Sequence, residues 1–148
     1  MYRHILIAID GSALADRALE HGLALAKEVK ARVTFVIVTQ LLSPIEITYA
    51  TSDNNAATIN QFEQIMATAA ETILRAAMDK ARLAGVISDV VHIADERPAE
   101  GIVAAAEKEG ADLIIMASHG RRAIGRLALG SVVTEVLARS KVPTLVVR

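Results

Sequence analysis

Five short runs of Val, Ile, Leu and Ala recur along the chain, and segments of helical periodicity separate them. The runs cover residues 2–9, 32–39, 86–93, 112–117 and 143–147, and the helical segments cover about 12–27, 59–84, 98–110 and 132–140. This alternation constrains the fold more than any other feature, because strands and helices that take turns build a parallel sheet with right-handed crossovers. At 148 residues the chain reads as one domain, long enough to bury a core without staples. Its residues are 53% hydrophobic but only 3% aromatic, so aliphatic side chains must fill that core. Such a core suits a parallel sheet covered by helices on both faces. The expected fold class is therefore α/β, a single-domain open five-stranded parallel sheet.

Local signals set the limits of the elements. Ser12 or Gly11 caps the first helix, whose stripe is Leu14, Ala18, Leu19, Leu25 and Ala26. The second carries Phe62, Ile65, Met66, Ala69, Ile73, Ala76, Ala77 and Leu83 at three- and four-residue steps, with Met66 and Met78 as core positions. Gly85 ends it. Run 86–93 alternates weakly, as an edge strand does, and its His92 reads as a solvated or core histidine. Pro98 opens the third helix, which ends near Gly110. Pro143 places the last strand at a sheet margin. Residues 40–58, with Pro44, Ser52, Asp53, Asn54 and Asn55, read as a long loop. Its apolar part either covers a cleft or touches a partner, or it packs locally.

Composition excludes several functions. A net charge of -1 leaves no footprint for non-specific nucleic-acid binding. The absence of cysteine rules out a disulfide framework and thiol chemistry, and it is compatible with a reducing cytoplasm. No apolar run reaches the roughly 18 residues of a membrane span, and residues 4–9 are too short for a signal-peptide core. Neither the Walker spacing nor a dinucleotide glycine fingerprint occurs, and no histidine–carboxylate group has metal spacing.

The stretch from Ile114 to Ser131 carries the strongest chemical signal. It reads as a buried strand, a glycine- and arginine-rich loop and a helix start at Gly130-Ser131. Gly120, Gly125 and Gly130 let backbone N–H groups approach an anion. The Ser131 hydroxyl and the unpaired N–H groups of its helix, Val132 included, can bond phosphate oxygens. Arg121, Arg122 and Arg126 either screen phosphate charge or form a solvated basic loop. Asp10 ends the first run, at the carboxyl edge where open α/β sheets bind ligands. It reads either as a turn residue or as a ligand contact. His119 lacks a paired base or nucleophile in the sequence, so no catalytic residue is assigned.

This stretch resembles the nucleotide loop of the universal stress protein family, whose ATP-binding members carry Gly-x2-Gly-x9-Gly-Ser/Thr. Gly120, nine residues and Gly130-Ser131 match it, whereas Ala117 stands where the first glycine falls. On a left-handed backbone that alanine would cost on the order of 1 kcal/mol. Where glycine serves only close approach, a methyl group is tolerated. The opening His4-Ile5-Leu6-Ile7-Ala8-Ile9-Asp10-Gly11-Ser12 and the ending Lys141-Val142-Pro143-Thr144-Leu145-Val146-Val147-Arg148 also resemble the family.

The resemblance implies a Rossmann-like sheet of strand order 3-2-1-4-5, which sets Asp10 and the Ala117–Gly120 turn across one crevice. It implies ATP as the ligand, with Mg²⁺ able to accompany it. The implied site is Ala8, Asp10, Val38, Met116, Ala117, Gly120, Arg121, Gly130, Ser131 and Val132. Asp10 faces the nucleoside, the backbone near Val38 borders adenine, and the glycine loop holds phosphates. Val38 reads equally as a core valine. The implied role is a cytoplasmic, nucleotide-dependent stress-response switch, at most a slow ATPase, that forms a homodimer through its last strand. The alternative is a nucleotide-independent homodimeric scaffold.

Overall fold

The computed structural model describes residues 1–40, 56–94, 96–120 and 128–148. They form strands β1 (His4–Ala8), β2 (Arg32–Thr39), β3 (Ser88–Ala94), β4 (Leu113–Ala117) and β5 (Thr144–Val147). The helices are α1 (Ala13–Val29), α2 (Ala56–Ala84), α3 (Pro98–Glu109) and α4 (Ser131–Arg139). All strand pairings are parallel, in the order β3-β2-β1-β4-β5. The expected fold class and strand order are both present.

The central strands explain why the runs are apolar throughout. Ile5 and Ile7 of β1 pack with α1 and α2, while Leu6 between them packs with α3 and α4. Ile115 and Ile114 of β4 divide in the same way. A strand covered on both faces has no polar side to display. Helix α1 lies low on this sheet because Gly22 has no side chain; a Cβ there would collide with Ile7. At the α1 N-terminus, Ser12 Oγ accepts from Ala15 N–H at 3.2 Å, the cap that its position suggested.

Helix α2 departs from the expectation in two ways. It begins at Ala56 rather than residue 59, and its buried positions are Ala70, Leu74, Ala77 and Ala81. Ile65, Met78 and Leu83 are exposed, so Met78 is not a core residue. The helix covers β2 and the edge strand β3, and small alanines let it approach them. Larger residues at neighbouring helical positions therefore turn outward. The edge assignment of β3 holds, with Val90 exposed and His92 paired to Thr39 at 2.9 Å. Most of the expected 40–58 loop lies outside the described residues.

At the amino edge of the sheet, polar groups close on one another. Asp112 accepts from the N–H groups of Arg3 and His4 at 2.9 and 3.1 Å. Burial opposes its ionisation, yet these backbone donors hold the carboxyl below the usual carboxylate range. Buried His4 bonds Thr34 Oγ1 through Nε2 at 2.8 Å, while its Nδ1 finds no partner. Burial, then the Arg32 charge, lowers the His4 pKa from 6.5, with Glu109 and Asp112 pulling the other way.

Candidate functional site

The opposite, carboxyl edge gathers the residues singled out in the sequence. Strand β1 ends at Ala8, which pairs with Val36, and Ile9 N–H continues to Val36 O at 2.9 Å. Asp10 follows, and its Oδ1 accepts from Ser12 N–H at 2.9 Å. Such a bond two residues along shapes the turn that carries the chain into α1. Thus Asp10 has a turn role as well as a position at the edge. Both readings of it are compatible.

Asp10 and the end of β4 meet across the switch between β1 and β4. The Cβ that Gly120 lacks would stand 3.1 Å from Asp10 Oδ2. A side chain at Gly120 would therefore crowd the carboxylate. A cleft of about 700 Å³ opens here, lined in part by Ser12, Leu14, Ser118, His119, Gly120 and Leu129. Arg17 and Arg148 also line it. The sequence reading missed those arginines, because they come from α1 and the far end of the chain and belong to no local motif.

The α4 N-terminus lies beside the end of β4. Gly130 is its N-cap and Ser131 its first residue. The first intrahelical donor is Thr134 N–H, which bonds Gly130 O at 3.0 Å. The N–H groups of Ser131, Val132 and Val133 precede it and have no carbonyl in the helix to meet. Together with the helix dipole they favour an anion. Ser131 is exposed and Val132 half-buried.

Gly130 contributes differently from the expectation. Its N–H bonds Ser118 O at 2.8 Å rather than facing the cleft. A Cβ on it would stand 3.1 Å from that oxygen and 3.4 Å from His119 Cα. Glycine is needed here for the close approach of α4 to the end of β4, and its φ of -61° is one any residue adopts.

Ala117 lies within β4, beside Val147, with its side chain in the core toward α1. Among the described residues, Lys30 is the only non-glycine with positive φ, so Ala117 carries no left-handed strain. The methyl group is accommodated. Met116 is buried on the opposite face, against the α3 and α4 cluster, which leaves its backbone as the part near the edge. Val38, the last residue but one of β2, lies beside Ile93, and its side chain packs over Gly101, where a Cβ would stand 2.8 Å from Cγ2. Both readings of Val38 survive, since its side chain packs and its backbone reaches the edge. Arg121, Arg122, Gly125 and Arg126 lie outside the described residues. Among the described residues no group of acids and histidines could hold a metal ion.

Together these features define a doubly wound α/β protein with a crevice at its topological switch point, the place where such folds bind ligands. The chain belongs to the universal stress protein family, whose model matches residues 1–148. It is 35% identical over 149 residues to the universal stress protein in the QAH/OAS sulfhydrylase 3' region of Thermus aquaticus, covering 100% of both chains. The solved structure of MJ0577, a Methanocaldococcus jannaschii universal stress protein, superposes with a TM-score of 0.82 at 29% identity, covering 99% of this chain and 96% of that one. A universal stress protein solved in complex with cAMP superposes with a TM-score of 0.71 at 27% identity, covering 99% and 97%.

Proposed function

We propose that this chain binds an adenine nucleotide in the β1–β4 crevice and acts as a nucleotide-dependent switch. The observation that carries the reading is the pairing of two unlike rims. Asp10, a hydrogen-bond acceptor, stands across from Gly120, and the leading N–H groups of α4 lie next to the β4 end. A ligand with hydroxyl donors at one end and phosphate at the other complements both. Asp10 repels phosphate and takes the ribose side, while Ser131 and Val132 take phosphates. Ala8, Val38, Met116, Ala117 and Gly120 offer backbone around the nucleoside. The cAMP complex of a relative supports the ligand class.

ATP is the proposed physiological ligand, with Mg²⁺ entering only as its counter-ion. The test is to purify the protein from cells, denature it and identify released nucleotide by mass spectrometry, then titrate the emptied protein with Mg-ATP by calorimetry. Stoichiometric release or saturable binding is expected. An empty protein that also gives no heat with Mg-ATP would falsify the reading.

We propose a homodimer through β5 as well. This strand is an edge of the sheet, and its Leu145 is exposed beside a groove against α1 lined by His21 and Ala24. An unpaired edge is a template for a second copy. Light scattering is expected to give twice the chain mass and a monomer for Leu145→Lys. A cytoplasmic stress-response role follows from the family and is part of the same reading; among the described residues no helix is long and apolar enough to cross a membrane.

A further inference from the structure

We propose that Gly101 of α3 is a positioning residue for base recognition, acting through Val38; this rests on the nucleotide reading above. Gly101 is buried within the helix, and its N–H bonds Arg97 O at 2.9 Å. Its φ is not positive, so the backbone does not require glycine there. Glycine inside a helix is less favourable than alanine, and what it provides is space. A Cβ at position 101 would stand 2.8 Å from Val38 Cγ2, 3.0 Å from Val38 Cγ1 and 3.4 Å from Glu96 Cγ. Glu96 is exposed, and its side chain can swing aside. Val38 has no such freedom. Its two methyl groups fill two of three staggered positions, and both face the helix. Any other rotamer leaves one methyl in a crowded position. A side chain at 101 must therefore move the end of β2 or push α3 away from it.

The contact matters because β1 has already ended beside it. Along a parallel strand, the N–H and C=O of one residue point to one side and those of the next residue to the other. Val36 O accepts from Ile9 N–H on the β1 side. The N–H and C=O of Val38 therefore turn to that side too, beyond the last β1–β2 pair, Ala8 with Val36. Among the described residues neither group has a hydrogen bond to β1 or to the turn after it. A donor and an acceptor thus stand side by side at the end of β1. Adenine presents an acceptor at N1 beside a donor at N6, whereas guanine presents a donor at N1 beside an acceptor at O6. One fixed N–H and C=O pair matches the first and opposes the second. Gly101 sets how far Val38 settles toward α3, and so where that pair stands. Gly22 differs: it admits Ile7, whose strand is paired on both sides, so the space there only lowers a helix onto the sheet.

The test uses the full chain, emptied of nucleotide and titrated with ATP and GTP by calorimetry. Gly101→Ala adds the Cβ and favours the helix, so a loss of binding from it does not reflect a weakened α3. We expect it to weaken ATP about tenfold, as for displaced hydrogen bonds, and to leave GTP within about twofold. Combining Gly101→Ala with Val38→Ala removes both crowding methyl groups and should return the preference for ATP toward the wild-type value. Recovery of base preference, and not of stability alone, separates positioning from packing. If Gly101→Ala does not fold, the double variant should fold and keep the preference. An unchanged preference in Gly101→Ala, equal losses for ATP and GTP, or a double variant that fails to recover each overturn the proposal. A wild type that binds neither nucleotide removes the nucleotide reading and this inference with it. A wild type that binds both alike removes only the inference.

Discussion

The two edges of the same sheet use polar groups in opposite ways. At the amino edge, Asp112 satisfies the first N–H groups of the chain's opening strand, and His4 turns inward to Thr34. Charge and donors there are consumed by the fold. At the carboxyl edge, the leading N–H groups of α4 have no carbonyl in the helix to meet, and a cleft lined in part by Ser118, His119 and Gly120 opens beside the end of β4. Strand direction is the physical cause. In parallel strands each crossover helix starts at the carboxyl edge, so helix N-termini collect there. A fold of this kind builds a donor-rich rim on one side and can lock the other.

The contrast is broken most strongly by Ser131→Asp. An acid in the first turn favours the helix, so the folded protein should be at least as stable. In the proposed site the same charge repels the ligand's phosphate, and we expect nucleotide affinity to fall at least about a hundredfold in calorimetry. Unchanged affinity would separate α4 from the ligand. The equivalent substitution at Gly130 is less informative, because any side chain there strains the contact with Ser118.

Asp10→Asn comes next. It keeps an oxygen for the Ser12 N–H and removes the charge. We expect about a tenfold loss for nucleoside-containing ligands, with a melting temperature close to that of the wild type. A large loss of stability instead would return Asp10 to a purely structural turn role.

Asp112→Asn probes the amino edge. It leaves one of two backbone donors poorly matched and should cost about 1 kcal/mol of stability in denaturant titration, with nucleotide affinity unmoved. Because the folded carboxyl titrates low, the Asp112 contribution is present above its unfolded pKa and disappears as pH falls through the folded value. Coupling of this substitution to ligand affinity would show that the two edges are not independent.

The smallest effect is expected from His4. Its folded pKa lies below 6.5, so between the two values the unfolded chain binds more protons. Stability from this residue is full above pH 6.5 and declines as pH falls through that window. His4→Gln should flatten that part of a stability-versus-pH curve and leave the rest. An unchanged slope would mean that another group sets it.

Much of the candidate site's local structure is legible in the sequence, because its signals are local. Asp10-Gly11-Ser12 announces a turn and a cap within three residues, and Gly130-Ser131 announces a helix start. The spacing from Gly120 to Gly130 is likewise readable along the chain. The part played by Gly130 was not. Its N–H goes to Ser118 O, and a serine carbonyl twelve positions away leaves no trace in sequence pattern. Arg17 and Arg148 reach one cleft from opposite ends of the chain for the same reason.

The sequence by itself determined the alternation of elements, the two-faced burial of β1 and β4, and the full extent of β2, since side-chain periodicity and chain stops are short-range properties. Tertiary structure alone decided which stripe of α2 is buried. Several faces of that helix are apolar enough, and packing density chose the alanines that let it lie close to β2 and β3. It also decided that Asp112 would clamp the start of β1, through bonds that span 108 and 109 positions. Such contacts depend on which strands become neighbours, and that choice is made by the whole core at once.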